Sequence, residues 1–143
     1  MKKIILIVVM LMSSLYASNV KTQTGAFPAS KIKSQNKQIV QMAVKEISKK
    51  LPQTVDKYTQ LVDIQAKDAT IVYYFEINTG SKSDESVRKN DKKRMQDAVT
   101  RGICQSSKNF LKAQINISYV YISAKTKKEL FKFDISKEDC TGI

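Results

Sequence analysis

From Ser34 onward, apolar residues return at every fourth position, Ile39, Ala43, Ile47 and Leu51, with Val40 and Val44 beside them and lysines and glutamines elsewhere. An α-helix turns once in about 3.6 residues, so this spacing draws one apolar stripe along a helix over about residues 34–50. Pro52 ends it, because proline disfavours the helical conformation of the residue before it. The pattern then becomes β-like. Val55, Tyr58, Leu61, Val62 and Ile64 predict a strand over about residues 58–66, Lys67-Asp68 a turn, and Thr70 to Asn78 a second strand. In that second strand Ile71, Tyr73, Phe75 and Ile77 share one face, and Thr70, Val72, Tyr74 and Glu76 share the other. One face is thus core-facing and the other half-wet, with Tyr74 the aromatic expected at the surface.

Thr79 to Ser83 is a polar break. Ser83 is placed to cap a second helix whose first turn carries Asp84 and Glu85, where a helix favours negative charge. Val87, Met95, Ala98, Val99 and Ile103 form its apolar stripe, interrupted at Asn90-Asp91, which predicts an ordered helix that begins later than Ser83. A short turn near Ser107–Leu111 brings Phe110 and Leu111 to the core. Ile115, Ile117, Tyr119 and Tyr121 then alternate with Asn116, Ser118, Val120 and Ile122, residues 124–128 form a link, and Leu130 to Ile135 returns with Phe131, Phe133 and Ile135 on one face. Asn116-Ile117-Ser118 fits a glycosylation sequon but reads as strand. The order α-β-β-α-β-β predicts an α+β domain with its helices packed on one face of a four-stranded antiparallel sheet.

Residues 1–17 read differently from the rest. Lys2 and Lys3 precede an apolar run from Ile4 to Met12, and Ser13 to Ala17 has the form of a signal-peptidase site. The run is too short to span about 30 Å of hydrocarbon. No cysteine stands near Ala17, so the lipid-attachment pattern is missing, and no second long apolar run follows. These features predict a signal peptide at 1–17, a flexible arm at 18–33, a single α+β domain at 34–143, and a periplasmic or secreted location with no transmembrane span.

In an oxidising compartment the two cysteines, Cys104 and Cys140, are expected to pair. A redox-active or nucleophilic cysteine needs a lowered thiol pKa, and the chain has neither a histidine nor a Cys-x-x-Cys motif to supply it. The absence of histidine also removes the commonest general base and metal ligand. Asp56, Asp63 and Asp68 lack the spacing of a cation loop, and neither a phosphate-binding loop nor a dinucleotide fingerprint occurs. No catalysis, cofactor or metal is expected.

Loss of Lys2 and Lys3 with the leader takes the net charge from +12 to +10. That field attracts anions of several kinds, or it reflects lysines solvating exposed helix faces. The densest basic run is Arg88, Lys89, Lys92, Lys93 and Arg94. On a helix, 88 with 92 and 89 with 93 occupy neighbouring faces while 94 turns away.

The string Leu51-Pro52-Gln53-Thr54-Val55-Asp56-Lys57-Tyr58-Thr59-Gln60-Leu61 has the form LP-x2-VD-x2-T-x-L. Paired tyrosines in a strand follow it, then Cys104 at a helix end, a Tyr119-Val120-Tyr121 strand and a terminal Asp139-Cys140. Over about residues 35–140 this order resembles a group of small uncharacterised exported bacterial proteins found on chromosomes and mobile elements. The resemblance implies the fold plan and a Cys104–Cys140 bond, and no activity. Within the motif, Asp56 and Thr59 are candidates for hydrogen-bonding the turn or for binding a ligand, and Leu61 for the core.

Two function classes stay open. One is an exported protein-interaction module, such as an inhibitor, an immunity factor or an accessory factor of envelope assembly, that meets an envelope or secreted protein through Tyr74 and the turn carrying Lys125, Lys127 and Lys128. The other is a binder of anionic polymer, nucleic acid or lipopolysaccharide, through the basic run of the second helix.

Overall fold

A computed structural model describes residues 28–143; the expected signal peptide and residues 18–27 of the expected arm lie outside the described residues, and residues 29–33 of that arm are helical, not a flexible tether. Helix α1 spans Ala29–Ser48, starting before the predicted Ser34. Asn36, the buried polar residue of α1, donates its side-chain amide to the Ala113 carbonyl at 2.6 Å, so its burial leaves no donor unpaired. Strand β1 is Gln53–Thr54, β2 is Thr59–Lys67 and β3 is Thr70–Ile77. Helix α2 covers Asp84–Ser106 and the short α3 Lys108–Lys112; β4 is Asn116–Ser123, β5 is Glu129–Ile135, and a 3-10 turn at Glu138–Cys140 closes the chain.

Helix α2 starts where Ser83 caps it, the Ser83 hydroxyl accepting from the Ser86 amide at 3.2 Å. The expected interruption at Asn90-Asp91 is absent. Asp91 lies on the apolar stripe, but its carboxylate is held by Arg94 at 3.1 Å and Lys82 at 3.6 Å, so the helix passes through without an unpaired charge against the body.

The sheet corrects the predicted topology. It has five strands in the order β1-β2-β3-β4-β5, not four, and it is mixed rather than antiparallel. The β2–β3 and β4–β5 hairpins are antiparallel as expected, but β3 and β4 run parallel, with Ile71, Tyr73 and Phe75 opposite Ile117, Tyr119 and Tyr121. The reason lies in the connection: a helix interposed between neighbouring strands returns the chain to the same end of the sheet, so the next strand runs in the same direction. The added β1 is two residues long and pairs with Gln60 and Leu61 of β2.

Helix α1 packs mainly on β2, and α2 mainly on β5. The core lies between these helices and one sheet face, and Val40, Ile71, Ile103, Ile115 and Ile117 are each at most 1% exposed. On the other face Val72 and Val120 are also buried, flanked in register by Gln65 and Lys132. Ser118 there donates to the Asp134 carboxylate at 2.7 Å. Among the described residues no helix is long and apolar enough to cross a membrane.

Cys104 near the end of α2 and Cys140 in the 3-10 turn form a disulfide with their Cα atoms 5.5 Å apart, at a sequence separation of 36. For a loop of that size, loop-closure entropy removed from the unfolded chain stabilises the fold by about 3–4 kcal/mol. The double variant Cys104→Ser/Cys140→Ser is therefore expected to unfold at a lower urea midpoint, with a denaturant slope equal to or steeper than the parent's because the uncrosslinked unfolded chain exposes more surface. An unchanged midpoint would show that the terminal staple contributes nothing.

A candidate interaction site: an aromatic groove

The segment from Leu51 to Leu61 turns out to be a hairpin. After the cis Leu51–Pro52 peptide, β1 pairs with β2 and residues 55–58 form the turn. The Asp56 carboxylate accepts the Tyr58 amide at 2.8 Å, and the Val55 and Asp56 amides both donate to the Thr59 carbonyl, at 2.9 and 3.2 Å. The turn is tied to the sheet by the Asn78 amide, which donates to the Tyr58 carbonyl at 2.8 Å. Asp56 thus acts through its side chain and Thr59 through its backbone, while Leu61 enters the core. Closing the turn this way leaves Val55 and Tyr58 outside, 55% and 57% exposed.

Those two residues stand on one rim of a cleft of about 900 Å³. Its opposite wall is the α2 stretch that includes Met95, Ala98, Val99 and Gly102, and its floor is Tyr73, Phe75, Ile77, Tyr119 and Tyr121 from the two parallel strands. The cleft exists because α1 and α2 are carried toward opposite edges of the sheet, leaving the central strands partly uncovered. On the floor, ring centroids lie 4.7 Å apart for Phe75–Tyr119, 5.1 Å for Phe75–Tyr121 and 5.3 Å for Tyr73–Tyr119. This continuous aromatic surface is within the separations at which rings attract.

Burial pushes the Tyr73, Tyr119 and Tyr121 hydroxyls above the usual phenol range. Tyr119 adds to the effect at Tyr73 and Tyr121, and the Asp56 carboxylate adds to it at Tyr121. The three remain neutral donors in an apolar trough. Such a surface suits an apolar segment that brings a few polar groups of its own. Among the described residues no group of three or more acidic or cysteine side chains is placed to hold a metal ion.

The sequence-predicted contact residues lie elsewhere. Tyr74 is on the opposite sheet face, half-buried, its hydroxyl donating to Gln65 at 3.2 Å; Tyr58 is the more exposed aromatic. Arg88 donates from Nε and Nη2 to the Glu129 carbonyl, at 3.1 and 2.6 Å. Lys93 pairs with Asp97 at 3.3 Å, Arg94 with Asp91, and Lys127 with Glu76 at 2.7 Å. Lys89, Lys92, Lys125 and Lys128 form no ion pair among the described residues. The basic run is therefore divided: Arg88, Lys89 and Lys92 flank β5, and Arg94 reaches the groove. The groove tyrosines were missed as site residues because a period of two assigns them to the core. Their hydroxyls were the available signal, since a fully sealed face favours phenylalanine, isoleucine or valine.

Residues 34–131 match the family model described as a domain of unknown function, DUF8479. Comparison with curated proteins gave no match. Three solved structures share the fold. A predicted secreted protein of Pseudomonas aeruginosa superposes with a TM-score of 0.67 at 13% identity, covering 79% of this chain and 99% of that one. The pilotin EpsS of the Vibrio vulnificus type 2 secretion system has a TM-score of 0.65 at 11% identity, covering 80% and 99%. The type II secretion system pilotin AspS of Vibrio cholerae has a TM-score of 0.62 at 14% identity, covering 78% and 97%.

The raised tyrosine pKa values carry a pH dependence. The unfolded chain releases phenolic protons from about pH 10, the folded chain only at higher pH. Stability from this source is complete below about pH 10 and is lost as pH rises through the folded-state values. Thermal melts across the alkaline range should fall less steeply for Tyr121→Phe than for the parent, the lysine contributions being common to both. Parallel curves would count against the burial of this hydroxyl.

Proposed function

This chain belongs to the DUF8479 family, and from that premise we propose that it is an exported, non-catalytic accessory factor of a cell-envelope assembly that holds an apolar segment of a partner protein in its aromatic groove. The observation that carries the reading is the groove itself: an aromatic floor on two parallel strands between a helix and a hairpin turn, in which Tyr73 and Tyr119 are half-buried and Phe75 and Tyr121 are buried, with Tyr58 and Val55 exposed at the rim. Exposed apolar residues grouped at the mouth of a cleft, as Val55 and Tyr58 are, mark an interaction site where residues scattered singly do not. The shared fold with two secretion-system pilotins and a predicted secreted protein supports an envelope role. The lysine-headed apolar leader ending near Ala17 supports export, and the motif Leu51 to Leu61 is read here as the element that builds one rim.

The polyanion reading has less support. Arg88, Lys93 and Arg94 are already engaged by groups of the chain itself, which narrows the basic run as a phosphate-binding stripe.

A photocrosslinking amino acid at Ala98, on the exposed wall of the groove, should yield an adduct with an envelope protein in intact cells. The same group at Tyr74 on the far sheet face should not. The recovered protein should also begin near Ser18 on N-terminal sequencing. Absence of an adduct at position 98, or equal adducts at both positions, would overturn the groove assignment, and an intact leader on cytoplasmic protein would overturn the export assignment.

A further inference from the structure

The outer edge of β5 offers a second surface that shares no lining residue with the groove. Strand β5 ends the sheet, and no strand lies beyond it among the described residues. An edge strand presents a row of unpaired backbone donors and acceptors, which proteins usually blunt with proline, a bulge or very short length. Here the edge is seven residues long and contains no proline. Its backbone is interrupted only at the start, where the register shifts near Glu129 and Arg88 caps the Glu129 carbonyl; farther along, the exposed charges of Lys132 and Asp134 are paired with each other. The opposite edge, β1, is only two residues long and offers no comparable template.

Beside this edge α2 forms the wall of a cleft of about 520 Å³, which it shares with β5. The charges along that wall are graded. Glu85 and Glu129 lie toward the end capped by Arg88, while Lys89 and Lys92 have no ion pair among the described residues; Lys132 on the strand is shared with Asp134 at 3.2 Å. We propose that the cleft between α2 and β5 is a strand-addition site for an extended acidic segment of a partner protein. Such a segment hydrogen-bonds along the β5 backbone and turns alternate carboxylates toward Lys89 and Lys92. Backbone pairing supplies a sequence-independent part of the affinity, and the alternate side chains in the cleft supply selectivity. Extended acidic chain is favoured over a helix because a helix satisfies its own backbone and leaves the edge unpaired. It is favoured over a basic strand because the positive net charge, +12 for the full chain and +10 once Lys2 and Lys3 are lost with the leader, and two lysines without ion pairs among the described residues repel one. This inference does not depend on what occupies the groove.

The test uses the mature chain and a fluorescent peptide of about nine alternating Glu and Val residues, long enough for one typical strand. Binding by anisotropy should be lost when alternate peptide amides are N-methylated, which removes strand donors without changing charge. It should weaken by about tenfold or more with Lys89→Glu/Lys92→Glu, both exposed and outside the core, so the fold is retained. Amide exchange should slow along residues 130–135. Equal binding of the N-methylated peptide, or of the charge-reversed variant, would overturn the proposal. So would protection that appears at Tyr73 to Ile77 in place of β5, and neither result would bear on a partner crosslinked through Ala98.

Discussion

Parallel strands cannot be joined by a tight turn, so the pairing of β3 with β4 obliges the chain between them to cross over the sheet, and the crossover here is α2 with α3. That pairing aligns Tyr73 with Tyr119 and Phe75 with Tyr121, concentrating four aromatic rings at the centre of one face. It also places β2 and β5 toward the two sides of the sheet, and the helices follow them, α1 onto β2 and α2 onto β5. The aromatic floor and its incomplete cover therefore have a single cause. An antiparallel arrangement of the same two hairpins would have opposed different residues and demanded a different path for α2.

Given that arrangement, the position of α2 is determined by contacts at both of its ends. At its start, Asp84 accepts a hydrogen bond from Thr126 in the β4–β5 turn, which with Arg88 holds its carboxyl below the usual range. Near its end, Cys104 is bonded to Cys140. Between them Arg88 reaches the carbonyl of Glu129, and Val99 and Ile103 enter the core. A helix held this way is a firm wall, and its two sides face different chemistry. One side presents Met95, Ala98 and Gly102 to the groove, while the other presents Lys89 and Lys92 to the edge of β5. Preorganised walls limit the ordering cost of binding.

The hairpin from Gln53 to Thr59 plays the complementary part. Its turn is closed by the Asp56 carboxylate and the Thr59 carbonyl, and it is tied to β3 through Asn78. The polar residues of the motif thus do structural work inside the turn, and the apolar Val55 and the aromatic Tyr58 are what reach the solvent. This inversion, polar groups spent on the backbone and apolar groups shown outward, is consistent with an interface rim.

Local pattern determined a good deal of this molecule. The periods of four and two located α1, α2 and the four long strands to within a few residues, because burial on one side of an element imposes its own repeat on the sequence. Ser83 and the acidic first turn marked the start of α2, and the pair of cysteines matched one bond. Tertiary structure alone decided the parallel pairing of β3 with β4, the short β1, the tolerance of Asp91 on an apolar stripe, and the opening of the groove. Each of these depends on partners far away in sequence: which strand lies alongside which, and which cation reaches a carboxylate. Periodicity identifies the face a residue turns inward. It carries no information on whether another element comes to rest above that face, and so Tyr73 and Tyr119 could be assigned to the core from sequence but not to its half-covered margin.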